Sequence, residues 1–238
     1  MRIKIKKGLD VPMAGQPELT ITDGNDVSTV GLVGWDTPGL KPRMAVAEGD
    51  RVKLGQVLFI DKRNPDVHYT APGSGTVLAV NRGERRVLNS VVIQLDGDEA
   101  ETFSANETDR DEIRKTLCES GLWTTLRTRP FSRIPQPDTA PNSVFITAIN
   151  TNPLAGNPAL VIDEDAEAFL SGVKIVSKLT DGKVYVCTRP DSGIPVPDGE
   201  QFVHAEFAGP HPVHELAAAV FLQHADLVVV CAQPAEHA

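Results

Sequence analysis

The segment RTRPFSRIP, residues 127–135, combines side chains that bind oxygen atoms with side chains that pack against flat rings. Arginine presents its hydrogen-bond donors in a planar fork, and aromatic and aliphatic groups offer apolar contact area. The residues in question are Arg127, Arg129, Phe131, Arg133 and Ile134. Together they are suited to hold an apolar ring that carries carbonyl oxygens. The alternative is a basic surface loop pinned by its prolines and anchored by Phe131.

A second candidate is LVGWDTPGLKPRM, residues 32–44. Leu32, Trp35 and Leu40 stand between glycines and prolines, so they can form an apolar wall on a turn-rich loop. The alternative is that this loop only packs on its own domain.

The segment NRGERRVLNS, residues 81–90, clusters Arg82, Arg85 and Arg86 on a predicted hairpin. In an acidic protein, a local basic patch can dock a partner subunit or face anionic lipid. The alternative is a solvated hairpin tip.

Histidine and cysteine suggest no further chemistry. His211 and His214 have a spacing that places two ligands on one helix face, but Pro212 lies between them. The three cysteines are widely spaced and form no Cys-x-x-Cys pair. No Ser-His-Asp or Cys-His arrangement is evident, so we expect neither a metal site nor a nucleophilic catalytic residue.

Composition limits the functional class. The chain has 238 residues, of which 41% are hydrophobic, 23% charged and 5% aromatic, and its net charge is −9. Nucleic acid is therefore not expected as the main partner, because its binding needs a dense basic surface. No segment has the roughly 20 apolar residues of a membrane span, and the basic N-terminus lacks the apolar stretch of a secretory signal.

The elements that must position these residues change along the chain. Up to residue 95 we predict short strands separated by Gly, Pro and Asp, among them IKIKK, ELTIT and TVGLVG. From residue 109 the pattern becomes a helix, a buried strand at SVFITAI, a helix at residues 163–179 and a buried strand at GKVYVCT, which is a βαβ unit. We predict a β domain at 1–98, a linker at 99–108 and a Rossmann-like α/β domain at 109–238.

The segments EGDRVKLGQVLFI and TAPGSGTVLAV, within residues 48–80, resemble the barrel-sandwich hybrid fold of biotinyl and lipoyl domains. Those domains carry a modified lysine at a hairpin tip before the Ala-Pro segment. Counting back from Ala71-Pro72 places this position at Asn64, with Lys62 two residues earlier. The resemblance therefore implies the fold without the swinging cofactor arm. An unmodified carrier or adaptor module is the alternative function.

Five blocks in order resemble the NqrA family, a subunit of sodium-translocating NADH:quinone reductases. They are IKIKKGLDVPMAGQPE, QVLFIDKRNPDV with TAPGSGTV, NRGERRVLNSVVI, ESGLWTTLRTRPFSRIP and TAINTNPLAG. The resemblance spans residues 2 to about 212 and about the first half of a family member. It implies a peripheral subunit on the cytoplasmic side of the bacterial inner membrane, within a six-subunit complex that oxidises NADH, reduces ubiquinone and exports Na⁺. The ring held by the two candidate segments is then ubiquinone.

The family is also similar to the FMN- and NADH-binding subunit of respiratory complex I, which has a Gly-rich phosphate loop. In the comparable segment here, GLWTTLRTRPFSRIP, only Gly121 remains, and Trp123, Thr124, Leu126 and Arg127 occupy the rest. Since close approach of the backbone to a phosphate needs glycines, we expect no tightly bound flavin or NADH. The resemblance implies that FMN, FAD and the iron–sulfur cluster lie in partner subunits.

The last residues depart from the family pattern. After FAGPHP the sequence continues as VHELAAAVFLQHADLVVVCAQPAEHA. We predict a helix at 214–224 and a strand in ADLVVVCA if residues 213–238 are in the native frame. If they are not, these residues need not pack.

Overall fold

A computed structural model describes residues 1–104, 108–129 and 131–212, together with the backbone of residues 227–230. The chain forms two compact units. One, here called the α/β unit, consists of Met1–Asp23, Leu126–Ser132 and Ala140–Ala238. The other, the β unit, consists of Gly24–Thr125 and Arg133–Thr139. Each unit is therefore assembled from separated stretches of sequence.

The strands are, in chain order, β1 (Arg2–Lys4), β2 (Thr29–Val33), β3 (Pro42–Met44), β4 (Arg51–Val52), β5 (Val57–Asp61), β6 (Asn64–Thr70), β7 (Ser74–Arg82), β8 (Leu88–Gly97), β9 (Leu126–Thr128), β10 (Val144–Ala148), β11 (Val184–Thr188), β12 (Phe202–Ala208) and β13 (Leu227–Val230). The α-helices are α1 (Arg110–Glu119), α2 (Pro158–Glu164) and α3 (Ala166–Ser177). Short 3₁₀ helices lie at Gly34–Asp36, Glu84–Arg86 and Leu122–Thr125. Within the described residues, no helix is long and apolar enough to cross a membrane.

The β unit contains two antiparallel sheets, in the orders β2-β8-β7-β4 and β3-β5-β6. Both sheets supply its core, which includes Phe59, Val67, Val77 and Ile93, each at most 1% exposed. The rings of Phe59 and Tyr69 stack with centroids 4.7 Å apart, so β5 and β6 are held by their side chains as well as by their backbone. The prediction of many short strands before residue 95 is confirmed for these elements.

The glycines of TAPGSGTV are explained by close backbone approach. A Cβ atom on Gly75 would lie 1.8 Å from the carbonyl oxygen of Gln94, on the neighbouring strand β8. On Gly73 it would lie 2.4 Å from the Leu95 side chain. Only glycine lets β7 pair with β8 at this point.

Helix α1 packs in the β unit. Its N-cap, Asp109, accepts hydrogen bonds from the backbone N–H groups of Asp111 and Glu112, as expected for an acidic helix start. Ile113 and Cys118 are buried. At the other end of the helix, Thr70 Oγ1 donates to the Ser120 carbonyl at 3.1 Å. The helix is thus anchored to β6, which lies well before it in the sequence.

The α/β unit is built on one sheet in the order β1-β12-β11-β10-β13-β9. All neighbours are parallel except β13 and β9. The predicted βαβ unit is confirmed, because β10 and β11 are parallel neighbours and α2 and α3 connect them. The single predicted helix at 163–179 is two helices, since Asp165 ends α2 and caps α3 by accepting from the Ala168 N–H.

Four local predictions need correction or stay open. IKIKK supplies β1, but β1 pairs with β12, near the other end of the described chain, and not with the strands that follow it. ELTIT, residues 18–22, contains no strand. In the expected linker, the Glu101 N–H donates to the Leu54 carbonyl at 2.8 Å, so part of it is tied to the β unit. The predicted helix at 214–224 lies outside the described residues.

The predicted domain limits of 1–98, 99–108 and 109–238 follow the change in sequence pattern. The two compact units follow packing instead. The N-terminal residues Met1–Asp23 belong to the α/β unit, and α1 belongs to the β unit. We keep the limits as a proposal about sequence modules.

Candidate functional site

Trp35 is displayed by a tightly constrained turn. It lies in the 3₁₀ helix Gly34–Asp36 and is 70% exposed. Its indole Nε1 donates to Asn89 Oδ1 at 3.3 Å, which fixes one edge of the ring. The preceding Gly34 is buried, and a Cβ there would lie 2.1 Å from the Leu88 carbonyl oxygen. The turn therefore holds Trp35 outward while its backbone lies against β8.

The two leucines predicted beside Trp35 are both half-buried. Leu32 lies in β2, and the Leu40 N–H donates to the Thr37 carbonyl at 3.2 Å. The segment 32–40 thus runs from the end of β2 into a hydrogen-bonded loop of the β unit. It exposes one large aromatic ring to solvent, and the two leucines are partly accessible.

The arginine-rich segment 127–134 is divided between the units. Arg127, Arg129 and Phe131 belong to the α/β unit, whereas Arg133 and Ile134 belong to the β unit. The structure therefore does not place all the predicted quinone-facing residues in one unit.

On the α/β side of this segment, Phe131 is 76% exposed and precedes Ser132, whose φ of 50° lies in the left-handed region. The Arg127 Nη1 donates to the Leu126 carbonyl at 3.0 Å. The Arg129 Nε is buried and has no hydrogen-bond partner among the described residues. A buried donor without an acceptor is costly, so Arg129 is able to gain from an added oxygen ligand.

On the β side, Arg133 is exposed and Ile134 is half-buried. The next residue fixes the segment, because the Pro135 carbonyl accepts from Trp123 Nε1 at 2.9 Å and from Asn64 Nδ2 at 3.4 Å. Trp123 is 2% exposed and Asn64 is 8% exposed. Ile134 is consequently presented by a segment anchored through buried hydrogen bonds.

The structure corrects the position of the hairpin tip. Asn64 is the first residue of β6 and pairs with Asp61, so Lys62 and Arg63 form the turn. The β5–β6 pairing is irregular at two places, between Val57 and Phe59 and between Ile60 and Asp61. Such irregularities break the residue count from Ala71 on which the prediction relied. Asn64 is an internal anchor for residue 135, and the lysine at the tip is Lys62.

The predicted basic hairpin is present, and two of its arginines line a cavity of about 420 Å³. Arg82 lies at the end of β7 and Arg86 in the following turn. Arg85, the third predicted residue, does not line the cavity. The remaining lining residues are Lys41, Pro42 and Lys62. Residue spacing did not reveal that both lysines join this group, since the lysines and the arginines are carried by different sheets and meet only in the folded β unit.

A second cavity, of about 340 Å³, lies between β6, α1 and the segment around Pro137. His68, Arg114 and Cys118 are among its lining residues. His68 Nδ1 donates to the Glu119 carbonyl at 3.2 Å, which leaves Nε2 as the other ring nitrogen. Burial raises the pKa of the Cys118 thiol to about 12, and nearby carboxylates act in the same direction. Cys118 is therefore an unreactive, neutral thiol.

The segment that corresponds to a Gly-rich phosphate loop forms the 3₁₀ helix Leu122–Thr125 followed by β9. Trp123 and Leu126 are buried, and the Thr124 N–H donates to the Gly121 carbonyl at 3.1 Å. Gly121 itself has a φ of 83° and lies against Thr70. The buried Trp123 and Leu126 side chains occupy interior space, and the Thr124 N–H is already used in a hydrogen bond.

No group of three or more His, Cys, Asp or Glu side chains suited to a metal ion occurs in the described part of the chain. His211 Nδ1 instead lies 3.2 Å from Thr151 Oγ1. His214, its predicted companion, lies outside the described residues.

Comparison with known proteins identifies both modules. Residues 3–96 match a family model described as the NqrA N-terminal barrel-sandwich hybrid domain, and residues 108–228 match one described as the NqrA second alpha/beta domain. These matches confirm the predicted fold class of a barrel-sandwich hybrid β domain with an α/β domain.

Curated relatives agree with these domains. Three of them, from Saccharophagus degradans, Pseudomonas aeruginosa and Histophilus somni, are named as the A subunit of the Na(+)-translocating NADH-quinone reductase. They are 51%, 50% and 49% identical to this chain over 216 residues. Each alignment covers 88% of this chain and 48% of the relative, so the chain spans about half the length of the curated relatives it matches. The chain belongs to the NqrA family, of which it carries the N-terminal barrel-sandwich hybrid and second alpha/beta domains.

Proposed function

We propose that this chain acts within a peripheral subunit of a Na⁺-translocating NADH:ubiquinone reductase, where it contributes to ubiquinone binding and to assembly of the complex. The observation that carries the proposal is about 50% identity over 216 residues to proteins named as the A subunit of such a reductase. The proposed location is the cytoplasmic side of the bacterial inner membrane, reached through contacts with the other subunits of a six-subunit complex.

Two exposed aromatic side chains support the quinone role. Trp35 and Phe131 are 70% and 76% exposed in a chain with 5% aromatic residues. Aromatic side chains are enriched at binding interfaces. We propose that the segment of each ring is quinone-facing, with the aromatic side chains as apolar contacts and the arginines of segment 127–134 as donors to carbonyl oxygens. The other proposed contacts are Leu32, Leu40, Arg127, Arg129, Arg133 and Ile134.

We further propose that the chain carries no flavin or iron–sulfur cluster of its own, and that FMN, FAD and the cluster reside in partner subunits. Support comes from the segment 121–127, where buried Trp123 and Leu126 occupy the place of a glycine-rich cradle. The isolated chain is then expected to bind ubiquinone as a ligand and not to oxidise NADH.

The experiment uses the purified chain and membranes from a relative whose own NqrA has been deleted but whose other reductase subunits remain. The chain should bind these membranes and co-purify with the solubilised complex. It should show no flavin absorbance and no NADH oxidation alone. Failure to associate, or stoichiometric flavin in the purified chain, would overturn the proposal.

A cofactor carrier is the second candidate function, and one observation favours it. Lys62 is exposed in the turn between β5 and β6, which is where carrier domains of this fold display their modified lysine. Mass measurement of the protein from a host able to attach biotin and lipoate distinguishes the two functions. An adduct on Lys62 would support the carrier, and an unmodified mass supports the adaptor or quinone-facing role.

A further inference from the structure

The cavity lined by Lys41, Pro42, Lys62, Arg82 and Arg86, here called the basic cavity, gathers cations from three separate parts of the β unit. Lys41 precedes β3, Lys62 lies in the β5–β6 turn, and Arg82 and Arg86 flank the β7–β8 connection. β3 and β5 belong to one sheet and β7 and β8 to the other. The four charges are therefore brought together by the fold and not by a run in the sequence.

Among the described residues, none of these four cations lies in an ion pair, whereas Arg51 of the same unit pairs with Asp96 at 3.0 Å. Asp61, which precedes Lys62, is engaged by backbone, because its Oδ1 accepts from the N–H groups of Lys41 and Arg63. In a chain of net charge −9, an unneutralised group of four cations is a local exception.

The turn that carries Arg86 is unfavourable for arginine. Arg85 and Arg86 have φ angles of 54° and 62°, in the left-handed region that glycine and asparagine adopt most easily. The Arg82 Nη1 donates to the Arg86 carbonyl at 3.1 Å, which braces the turn and leaves the other guanidinium donors of Arg82 available. Arginine thus occupies two positions of this turn whose left-handed backbone conformation favours glycine or asparagine.

Size and charge together define the ligand. A cavity of about 420 Å³ admits a small group and not a duplex. Four positive charges favour an anion with more than one negative charge, and the planar donors of arginine match phosphate oxygens in pairs. Lysine adds compact point charges to the same cavity.

We propose that the basic cavity is a binding site for a phosphate-bearing group, held by Lys41, Lys62, Arg82 and Arg86. This site is independent of the proposed quinone surface, none of whose residues line it. The phosphate can belong to a soluble phosphorylated molecule or to the headgroup of an anionic phospholipid, and the two sources share this chemistry.

The test compares two double variants of the full 238-residue chain. Lys62→Gln/Arg86→Gln removes two charges of the cavity. The matched control Arg43→Gln/Lys53→Gln removes one arginine and one lysine that are exposed in the same unit and lie outside the cavity. Calorimetry measures binding of inorganic pyrophosphate. Flotation measures binding to vesicles of phosphatidylcholine alone and of phosphatidylcholine mixed equally with phosphatidylglycerol.

The cavity variant should bind at least one of these probes roughly tenfold more weakly than the parent chain, because charge-assisted hydrogen bonds are lost. The control should bind as the parent does, and added salt should weaken the interaction. Loss of pyrophosphate binding alone indicates a soluble ligand. Loss of binding to the mixed vesicles, with competition by pyrophosphate, indicates a lipid headgroup.

A third variant, Lys62→Arg/Arg86→Lys, keeps both charges and should retain binding, which separates loss of charge from loss of folding. The proposal is overturned if neither probe binds the parent chain, if the cavity variant binds both probes as the parent does, or if the control loses as much binding as the cavity variant. It is also overturned if only an oligoglutamate peptide, titrated by the same calorimetry, binds. The last result would identify an acidic protein partner instead.

Discussion

Trp35 and Phe131 show how single residues are held in an unfavourable exposed position. Trp35 is fixed by its hydrogen bond to Asn89 and by the buried Gly34 before it. Phe131 precedes a residue in the left-handed region. Because both rings are exposed, each contributes little to the hydrophobic core of its unit. Both should therefore matter more for binding than for stability.

Replacement of either ring tests this expectation. Trp35→Ala and Phe131→Ala should each weaken binding of a short-tailed ubiquinone by roughly tenfold, as for aromatic residues at binding surfaces. Each should change the free energy of unfolding by no more than about 0.5 kcal/mol, as is usual for exposed positions. Saturation-transfer NMR and urea unfolding measure the two effects. Leu154→Ala, which removes another exposed apolar side chain, is the control and should alter neither.

Cys118 makes stability depend on pH at the alkaline end. Its folded pKa is raised, chiefly by burial, from an ordinary value of 9.0 to about 12. The folded state therefore holds the thiol proton more tightly than the unfolded state does. This contribution to stability is fully present below the unfolded pKa and is lost as the pH rises from about 9 towards the folded value.

The corresponding experiment measures the free energy of unfolding of the parent chain and of Cys118→Ala as a function of pH. The difference between them should be constant below about pH 9 and should shrink above it. Other groups that titrate in this range cancel in the difference. A difference that stays constant across the alkaline range would show that Cys118 is not held as a neutral buried thiol.

Side-chain chemistry was predictable at some of these residues and not at others. The exposure of Arg82, Arg85 and Arg86 on a hairpin followed from their turn-rich surroundings. The partner of Asn64 did not, because Pro135 lies 71 residues away and reaches it only in the folded β unit. Likewise the place of Lys62 in the turn depends on irregular pairing in β5 and β6, which leaves no mark in residue spacing.

At the scale of elements, the β7–β8 pair depends on the glycines of the motif TAPGSGTV. Gly75 lies so close to the Gln94 carbonyl that any side chain would separate the strands. Gly24, in the same unit, has no atom within 4 Å of the position its Cβ would occupy. The two glycines form a matched pair, because an added Cβ would clash with backbone at Gly75 and meet open space at Gly24.

Gly75→Ala should therefore lower the free energy of unfolding by at least about 3 kcal/mol, because the added carbon meets backbone that cannot rotate away. Gly24→Ala should be close to neutral. Urea unfolding followed by fluorescence or circular dichroism measures both. Equal stability of the two variants would mean that β7 and β8 are not paired at this register.

Local sequence patterns identified most elements because each has its own period. β10, α3 and β11 show the apolar runs and helical spacing of a βαβ unit, and α1 has an acidic N-terminal turn. The pairing of β1 with β12 was not predictable, because no local feature of residues 2–4 indicates a partner at residues 206–208. Residues 18–22 form no strand despite their β-prone composition, which accords with the dependence of β-propensity on context.

At the scale of the whole molecule, each unit takes segments from distant parts of the chain. Residues 133–139 join the β unit, although residues 126–132 belong to the α/β unit. The predicted quinone-facing residues follow this division. Neither unit alone contains every residue of the proposal, so the claim of ubiquinone binding is tested on the intact chain.

The most direct measurement is a titration of short-tailed ubiquinone against the intact chain, beside the full-length relative from Pseudomonas aeruginosa. We expect saturable binding to both proteins, with Trp35→Ala weakening binding to the chain. Binding to the relative with none to the chain would contradict the assignment of the quinone surface to residues 32–40 and 127–134. Binding to the chain that is unchanged in both Trp35→Ala and Phe131→Ala would contradict it as well.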